Sequence, residues 1–427
     1  MKLTRRHLLK NACSAGALLA FPSIVPSSVF GETAPSKKIS LGFIGMGTHG
    51  TGRNLNNFLN YDDAVVLAVC DARKSAAINA KKKVDGHYNN SDCSVYQDFR
   101  ELIARKDIDA VVISTPDHWH IPMSMAALNA GKDVFCEKPS LTITEGRELA
   151  QEVAKREAVF QWGIEDRSLT KYHRLAGWVR DGAIGKLESI HVSLPRLKAH
   201  LKDSPAPVPD DLDWNLWLGP APFRPYTPKL TRPQVWRTIT DYSGGSLTDW
   251  GAHLIDTAQV GAGMDASGPV EVSGSGVIPN QKKYHSNTTG DYNLHYRYSN
   301  KVDMFVEDGK VDIKFVGTDG WVRCEGWNGT WSASSNDILR IREFKNLWPQ
   351  PPIEHRDFLD SMKTRKPAAY HVEAGHRLAT ALHLGNLATR IDKPVQWDPD
   401  NEVFTGNRAE CTKSSIYKRS SRNWENV

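Results

Sequence analysis

Nothing in this sequence is apolar for long enough to cross a bilayer as a helix. The run from Ala15 to Val25 is interrupted at Pro22 and falls short of the roughly 20 residues a span requires. Cysteine is sparse as well. The six present show no paired spacing, so neither a disulfide framework nor a zinc site is indicated, and no metal is expected. Cys70 and Cys136 lie in apolar strand-like runs, where a thiol behaves as a small hydrophobe. Net charge is also small. Of the formal +5, four charges (Lys2, Arg5, Arg6 and Lys10) fall within residues 1–31, which hold no acid, so removing that segment leaves +1. A nucleic-acid partner thereby loses its main electrostatic support. Internal repeats and low-complexity tracts are missing too.

What is present begins with an address. Thr4-Arg5-Arg6-His7-Leu8-Leu9-Lys10 resembles the twin-arginine export signature, and the interrupted apolar run follows it. Val29 and Gly31 would occupy the small-residue positions before a cleavage site. A signal peptide over 1–31 is therefore expected, with a periplasmic mature protein and no stable membrane span. Thirteen tryptophans are a generous number, and flat rings with one polar N–H suit the holding of sugars, although most tryptophans serve as core.

From Lys38 to about Gly163, short β-rich runs alternate with helical stretches. The expected strands are Ile39–Ile44, Val65–Cys70, Asp109–Ser114, Asp133–Cys136 and Val159–Trp162. Between them lie helical patterns at Arg73–Val84, Phe99–Lys106, Ile121–Ala130 and Thr144–Arg156. Continuous apolar strands separated by helices predict a doubly wound parallel sheet, an α/β Rossmann domain over 38–163. Beyond Gly163 the rhythm changes. A helix at Leu169–Arg180 and a strand at Leu187–Leu194 precede a Pro- and Trp-rich stretch, Pro205 to Trp236, which reads as a long ordered loop. Five strands follow, near Val270–Val277, Tyr292–Tyr298, Lys301–Glu307, Lys310–Val316 and Gly320–Gly326, with helices at His355–Arg365 and His371–Arg390. Turn signals between the strands predict a large open, mostly antiparallel sheet in an α+β domain over 164–427.

Gly45-Met46-Gly47-Thr48-His49-Gly50 is a GxGxxG placed after the first strand and before a helix. The first glycine permits the turn, the second lets backbone approach a pyrophosphate, and the third packs helix on strand. The helix N-terminus offers N–H groups to the phosphates. Asp71 stands 21 residues beyond Gly50 at the end of the second strand, where a carboxylate accepts from a ribose 2′-hydroxyl and repels a 2′-phosphate. NAD is thus favoured over NADP, with Arg73 as the residue that could oppose that preference.

Thr115-Pro116-Asp117-His118-Trp119-His120 and Glu137-Lys138-Pro139 each follow a strand, at the sheet edge where a nicotinamide would sit. Asp249 and His253 are four residues apart, on one helix face. These four motifs, in this order, resemble the Gfo/Idh/MocA family of glucose–fructose oxidoreductases and inositol dehydrogenases. The resemblance implies hydride transfer between a nicotinamide and a sugar or cyclitol carbon, and an open sheet that supports a homo-oligomer. It implies that Lys138 holds the reacting hydroxyl and that His253 is the general acid/base, with Asp249 beside it. Either Lys138 or His253 could accept the proton. Thr115, His118, Trp119, His120 and Glu137 are expected around the cofactor. Arg167, Tyr172, His173, Trp236 and Arg237 are chosen as substrate-pocket residues because polar and aromatic types fall near the domain junction.

Export bears on mechanism. Free NAD is not expected outside the cytoplasm, whereas twin-arginine export carries folded proteins, so the dinucleotide is expected to travel bound and stay bound through turnover. Two chemistries satisfy this: coupled oxidation and reduction of two sugars, or transient ring oxidation that permits elimination of a glycosidic substituent. The second is implied by similarity to NAD-retaining α-N-acetylgalactosaminidases, which depart from Glu-Lys-Pro at the lysine. This chain keeps Lys138. A sugar-binding protein on a retired dehydrogenase scaffold is the third reading, opposed by the intact motifs.

Overall fold

The computed structural model describes residues 38–424; the expected signal peptide lies outside them. The first half opens with β1 (Ile39–Ile44), a π-helical turn at Gly50–Leu55 that runs into α1 (Asn56–Leu59), and β2 (Ala64–Cys70). Then come α2 (Lys74–Tyr88), β3 (Ser94–Tyr96), α3 (Phe99–Ile103), β4 (Ala110–Ile113) and α4 (His120–Asn129). The half closes with β5 (Asp133–Glu137), α5 (Ile143–Arg156) and β6 (Phe160–Gly163). The strands form one parallel sheet in the order β3-β2-β1-β4-β5-β6. Its central strands are buried on both sides, as continuous apolar runs require: β4 has no exposed residue. Helix α5 shows how sequence sets an element. Ile143, Gly146, Leu149, Ala150 and Val153 recur at helical spacing and are buried, and the Thr142 hydroxyl accepts from Glu145 N at 3.2 Å as a capping box.

The chain continues through α6 (Thr170–Arg180), β7 (Leu187–Pro195), the short helices α7 (Trp214–Leu218) and α8 (Pro233–Trp236), then α9 (Ser246–Asp249) and α10 (Gly251–Ala262). Next are β8 (Pro269–Val277), β9 (Gly290–Tyr298), β10 (Asp303–Gly309), β11 (Asp312–Gly317), β12 (Gly320–Glu325) and β13 (Thr330–Ala333). The last elements are α11 (Glu354–Thr364), α12 (Val372–Ile391), β14 (Val395–Asp398), β15 (Val403–Phe404) and α13 (Arg408–Lys413). Nine strands form the second sheet, ordered β13-β12-β11-β7-β10-β9-β8-β14-β15, antiparallel throughout except for β7 beside β10.

One face of this sheet is dry. Tyr292, Leu294, Tyr296 and Tyr298 alternate along β9 into a core that α12 closes over β8 and α10 over β7 and β11. The opposite face carries a ladder of rings, with Phe305 stacked between His191 (centroids 5.3 Å apart) and His295 (4.8 Å). The Pro- and Trp-rich stretch, which reads in sequence as a loop, instead builds its own small core. Leu212, Trp214, Leu218, Tyr226, Ile239 and Tyr242 pack together around the two short helices. Three strands of the second sheet (β13, β14 and β15) and the three-residue β3 of the first go beyond the sequence expectation, being two to four residues long and at or next to a sheet edge.

Segments far along the chain return to the first sheet. Arg365 pairs with Asp133 at 2.5 Å, and His355 Nε2 meets Asn54 Oδ1 at 2.9 Å. Arg419 pairs with Glu145 at 2.7 Å, and Trp424 packs edge-on against Trp119 at 4.8 Å.

Candidate active site

Strand order reverses between β1 and β4, so their carboxyl ends open a crevice. The glycine turn forms one wall. Gly45 has φ +90°, and a Cβ there would lie 2.7 Å from Ser114 backbone. A Cβ on Gly50 would lie 2.0 Å from Gly45 O, so this residue is needed for close packing and does not itself line the cavity. A Cβ on Gly47, by contrast, would meet nothing within 4 Å, which leaves a cradle of bare backbone facing the cavity. Asp71 closes the wall. Its carboxylate accepts from Met46 N at 2.7 Å and from Arg73 N at 2.8 Å, which aims it while leaving lone pairs for a ligand. Arg73, the residue that could have favoured a 2′-phosphate, instead pairs with Asp211 at 3.0 Å.

The crevice widens into a cavity of about 1250 Å³. Gly45, Gly47, Thr48, His49, Asp71, Thr115, Trp119, His120, Glu137, Lys138, Trp236, Arg237, Asp249 and His253 all line it. Lys138, directly after β5, donates from Nζ to Asp249 O at 2.7 Å and to Asp249 Oδ1 at 2.8 Å. Arg237 reaches the other carboxylate oxygen of Asp249 at 3.3 Å. Burial alone would lower the Lys138 ammonium, but the Asp249 charge outweighs it and holds the lysine above its ordinary range. Burial would likewise raise Asp249, yet Lys138 and Arg237 keep it far below the usual carboxylate value. The pair is therefore an ion pair at any physiological pH.

His253, on the first turn of α10, has its Nδ1 2.6 Å from Asp166 Oδ2. Burial would depress the imidazole, but Asp166 overrides it and raises it above the ordinary histidine value. With Nδ1–H committed to Asp166, Nε2 is the nitrogen left for a ligand. Trp250 and Trp327 flank the ring, each at 6.0 Å. Glu137 plays a supporting part. Although burial opposes its ionisation, His49 at 3.0 Å and Asn54 at 2.9 Å bring it down to about 2. Asn54 also donates to Ser114 Oγ at 2.8 Å and faces His355, so α11 braces the glycine turn from behind.

Several residues expected in the pocket lie elsewhere. His118 is fully buried, its Nε2 3.0 Å from Trp217 O, and burial pushes it down to about 3, leaving a neutral packing ring. Arg167 forms a two-toothed pair with Asp256 at 2.8 and 3.0 Å and covers the Tyr370 ring at 4.6 Å. Tyr172 is buried, with its hydroxyl accepting from Asn328 N at 2.9 Å, and His173 Nε2 is 2.8 Å from Trp348 O. His118 is expected from its place in the Thr115–His120 loop and the other three from residue type near the domain junction, and tertiary packing turns each away from the cavity.

Conversely, Glu165 and Asp166 belong to the site although no motif marks them. They sit just after β6, on the same carboxyl edge as Glu137 and Lys138, and that position was the available signal. Glu165 lies 3.5 Å from Arg53, which also pairs with the buried Glu354. Glu165, Asp166 and His253 are the one group among the described residues with three potential metal-ligand atoms within 4.8 Å of one another. The short Asp166–His253 bond and the Arg53 charge make it a carboxylate–imidazole dyad with a compensated neighbour.

Residues 39–164 match the family profile described as "Oxidoreductase family, NAD-binding Rossmann fold". Residues 195–425 match "Oxidoreductase family, C-terminal alpha/beta domain". Among solved structures, the fold is similar to that of an aldose-aldose oxidoreductase from Caulobacter crescentus complexed with glycerol. The TM-score is 0.62 at 18% identity, covering 84% of this chain and 99% of that one. It is also similar to a levoglucosan dehydrogenase in complex with NADH and L-sorbose, with TM-score 0.61 at 20% identity over 84% and 98%. In sequence, a glycosyl hydrolase family 109 protein of Shewanella pealeana is 34% identical over 167 residues, 34% of this chain and 36% of its own length. An alpha-N-acetylgalactosaminidase of Shewanella oneidensis is 33% identical over 164 residues, 33% and 35% of the two chains. The chain thus spans about a third of the length of these curated relatives. With both domain profiles matched in order, this chain belongs to the Gfo/Idh/MocA oxidoreductase family.

Proposed function

We propose that this protein is an NAD-dependent oxidoreductase that acts on a CH–OH carbon of a sugar or polyol and keeps its dinucleotide bound through turnover. The observation that carries the reading is convergence: the glycine turn, the Lys138–Asp249 ion pair and the His253–Asp166 dyad all face one cavity. The residues fit the dinucleotide. Gly47 leaves the cradle a pyrophosphate needs, and Asp71 is held ready for a ribose hydroxyl while Arg73 is engaged by Asp211. When bound, the nicotinamide supplies hydride acceptance and donation.

The chain's own groups handle the proton. The Lys138 ammonium, fixed by Asp249, donates a hydrogen bond to the reacting hydroxyl and stabilises negative charge as it develops on that oxygen. Neutral His253 accepts the hydroxyl proton at Nε2, and Asp166 stabilises the resulting imidazolium through Nδ1–H. Trp236, Trp250 and Trp327 exclude water and offer flat faces to a ring. Twin-arginine export to the periplasm is part of this reading, because a bound cofactor can travel with a folded protein. So is self-association through the open face of the nine-stranded sheet.

A redox-assisted glycoside hydrolase is the second reading, favoured by the 33–34% identity to family 109 proteins over their matched third. Retention of Lys138 supports the first. The test has two arms. Denaturing purified protein should release about one equivalent of dinucleotide; a cofactor-free preparation with weak NAD binding would end the retained-cofactor proposal. A carbohydrate panel followed at the nicotinamide absorbance should give reduction of the cofactor. Release of aglycone from aryl glycosides without net reduction would replace the oxidoreductase with the hydrolase.

A further inference from the structure

A strap from the second half of the chain, residues 209–213, crosses the crevice beside Asp71 and is bonded there along its backbone. Lys74 N donates to Asp211 O at 2.7 Å, Asp213 N donates to Ala72 O at 2.9 Å, and Arg73 bridges Leu212 in antiparallel fashion. Side chains reinforce the join. The Asp211 carboxylate accepts from Arg73 Nη1 at 3.0 Å and from Ser75 Oγ at 2.5 Å. Leu212 is buried and lines the cavity together with Ala72, Arg73 and Gln97.

This is the end of β2, where the adenosine ribose of a dinucleotide lies. An arginine two residues beyond the ribose-binding acid is well placed to receive a 2′-phosphate, since a guanidinium forms paired, charge-assisted bonds to phosphate. Here that arginine already has a carboxylate, and the carboxylate comes from the other domain. Its charge also reaches Asp71, where it adds to burial in opposing ionisation.

We infer that Asp211 is a cofactor-selecting residue: it occupies Arg73 and sets a second anion beside Asp71, so NADP meets repulsion at its 2′-phosphate while the strap closes over the adenosine end. The inference rests on the dinucleotide reading above. Arg73 and Asp211 are each about a third exposed, at 31% and 35%, so removing the Asp211 charge can free Arg73 without disturbing a buried core.

Calorimetric titration of cofactor-stripped protein with NAD and with NADP tests this without measuring turnover. The wild type should prefer NAD. Asp211→Asn keeps the size of the side chain and a contact to Ser75 but removes the charge, and should shift the NADP-to-NAD affinity ratio toward NADP by about tenfold. Combining Asp211→Asn with Arg73→Ala should cancel the part of the shift supplied by the freed guanidinium and leave only the smaller part due to the lost Asp211 charge. Arg73→Ala alone should leave the ratio where it is, because Arg73 is already occupied. An unchanged ratio in Asp211→Asn, or a selective loss of NADP affinity in Arg73→Ala alone, would overturn the inference. A wild type that binds neither dinucleotide would instead strike the reading beneath it.

Discussion

All six strands of the first sheet run in one direction, so their carboxyl ends deliver Gly45, Asp71, Thr115, Lys138 and Asp166 to a single edge. The nine-stranded sheet has no such edge. Its neighbours are antiparallel except for β7 and β10, so successive strand ends point to opposite sides. It contributes instead through a packed face, on which α10 sits and presents His253, and through the turn between β12 and β13 that carries Trp327. The contrast teaches where to look. Strand direction gathers the hydride-transfer edge, whereas helix placement supplies the proton-handling partner, and neither sheet completes the site alone.

Substitutions on the two sides should separate these contributions. Lys138→Ala, at the parallel edge, should lower kcat by about a thousandfold while the dinucleotide dissociation constant changes little, as measured by steady-state kinetics and titration. A comparable loss of cofactor affinity would show that the edge lysine holds the nucleotide and would blur the division. Asp166→Asn couples the two halves and should cost less, about tenfold in kcat. It has a directional signature too. His253 must be neutral to accept a proton, so oxidation fails as pH drops through its pKa, which Asp166 raises. Removing that carboxylate should move the acid limb of the rate profile to lower pH; a limb that stays in place would exclude His253 as the titrating group. Phe305→Ser lies on the open face of the second sheet, far from either contribution, and should leave kcat and cofactor affinity within about twofold. A larger change would mean that the open face communicates with the cavity.

How much of this is written locally in the chain follows from the same division. The glycine turn, Asp71 and Lys138 are legible because each is fixed by the strand just before it, and a short stretch of sequence carries both the strand and the loop. The main strands of the second sheet can be read from alternation and turn residues. Its three late short strands cannot, because β13, β14 and β15 have two to four residues each, too few to show a period. Asp166 carries only the signal of its place just after β6, because what makes it matter is a 2.6 Å contact with His253 across 87 positions. His118 looks functional by its place in a motif and Arg167, Tyr172 and His173 by their chemistry, and each is consumed by a long-range partner such as Trp217 or Asp256. The Trp-rich stretch between Pro205 and Trp236 reads as a loop since its periodicity is too short to register, although it encloses a core of its own.

The late segments that fold back onto the first sheet have a consequence for biosynthesis. His355 buttresses the glycine turn, Arg365 and Arg419 clamp Asp133 and Glu145, and Trp424 wedges against Trp119. A ribosome extrudes the nucleotide-binding half more than 200 residues before the last of these buttresses exists. The setting in which the crevice is fully braced is therefore expected only after residues 355–424 have been added. A nascent chain stalled before residue 355 should capture the nucleotide only loosely, which a cofactor-binding assay on the stalled chain would check.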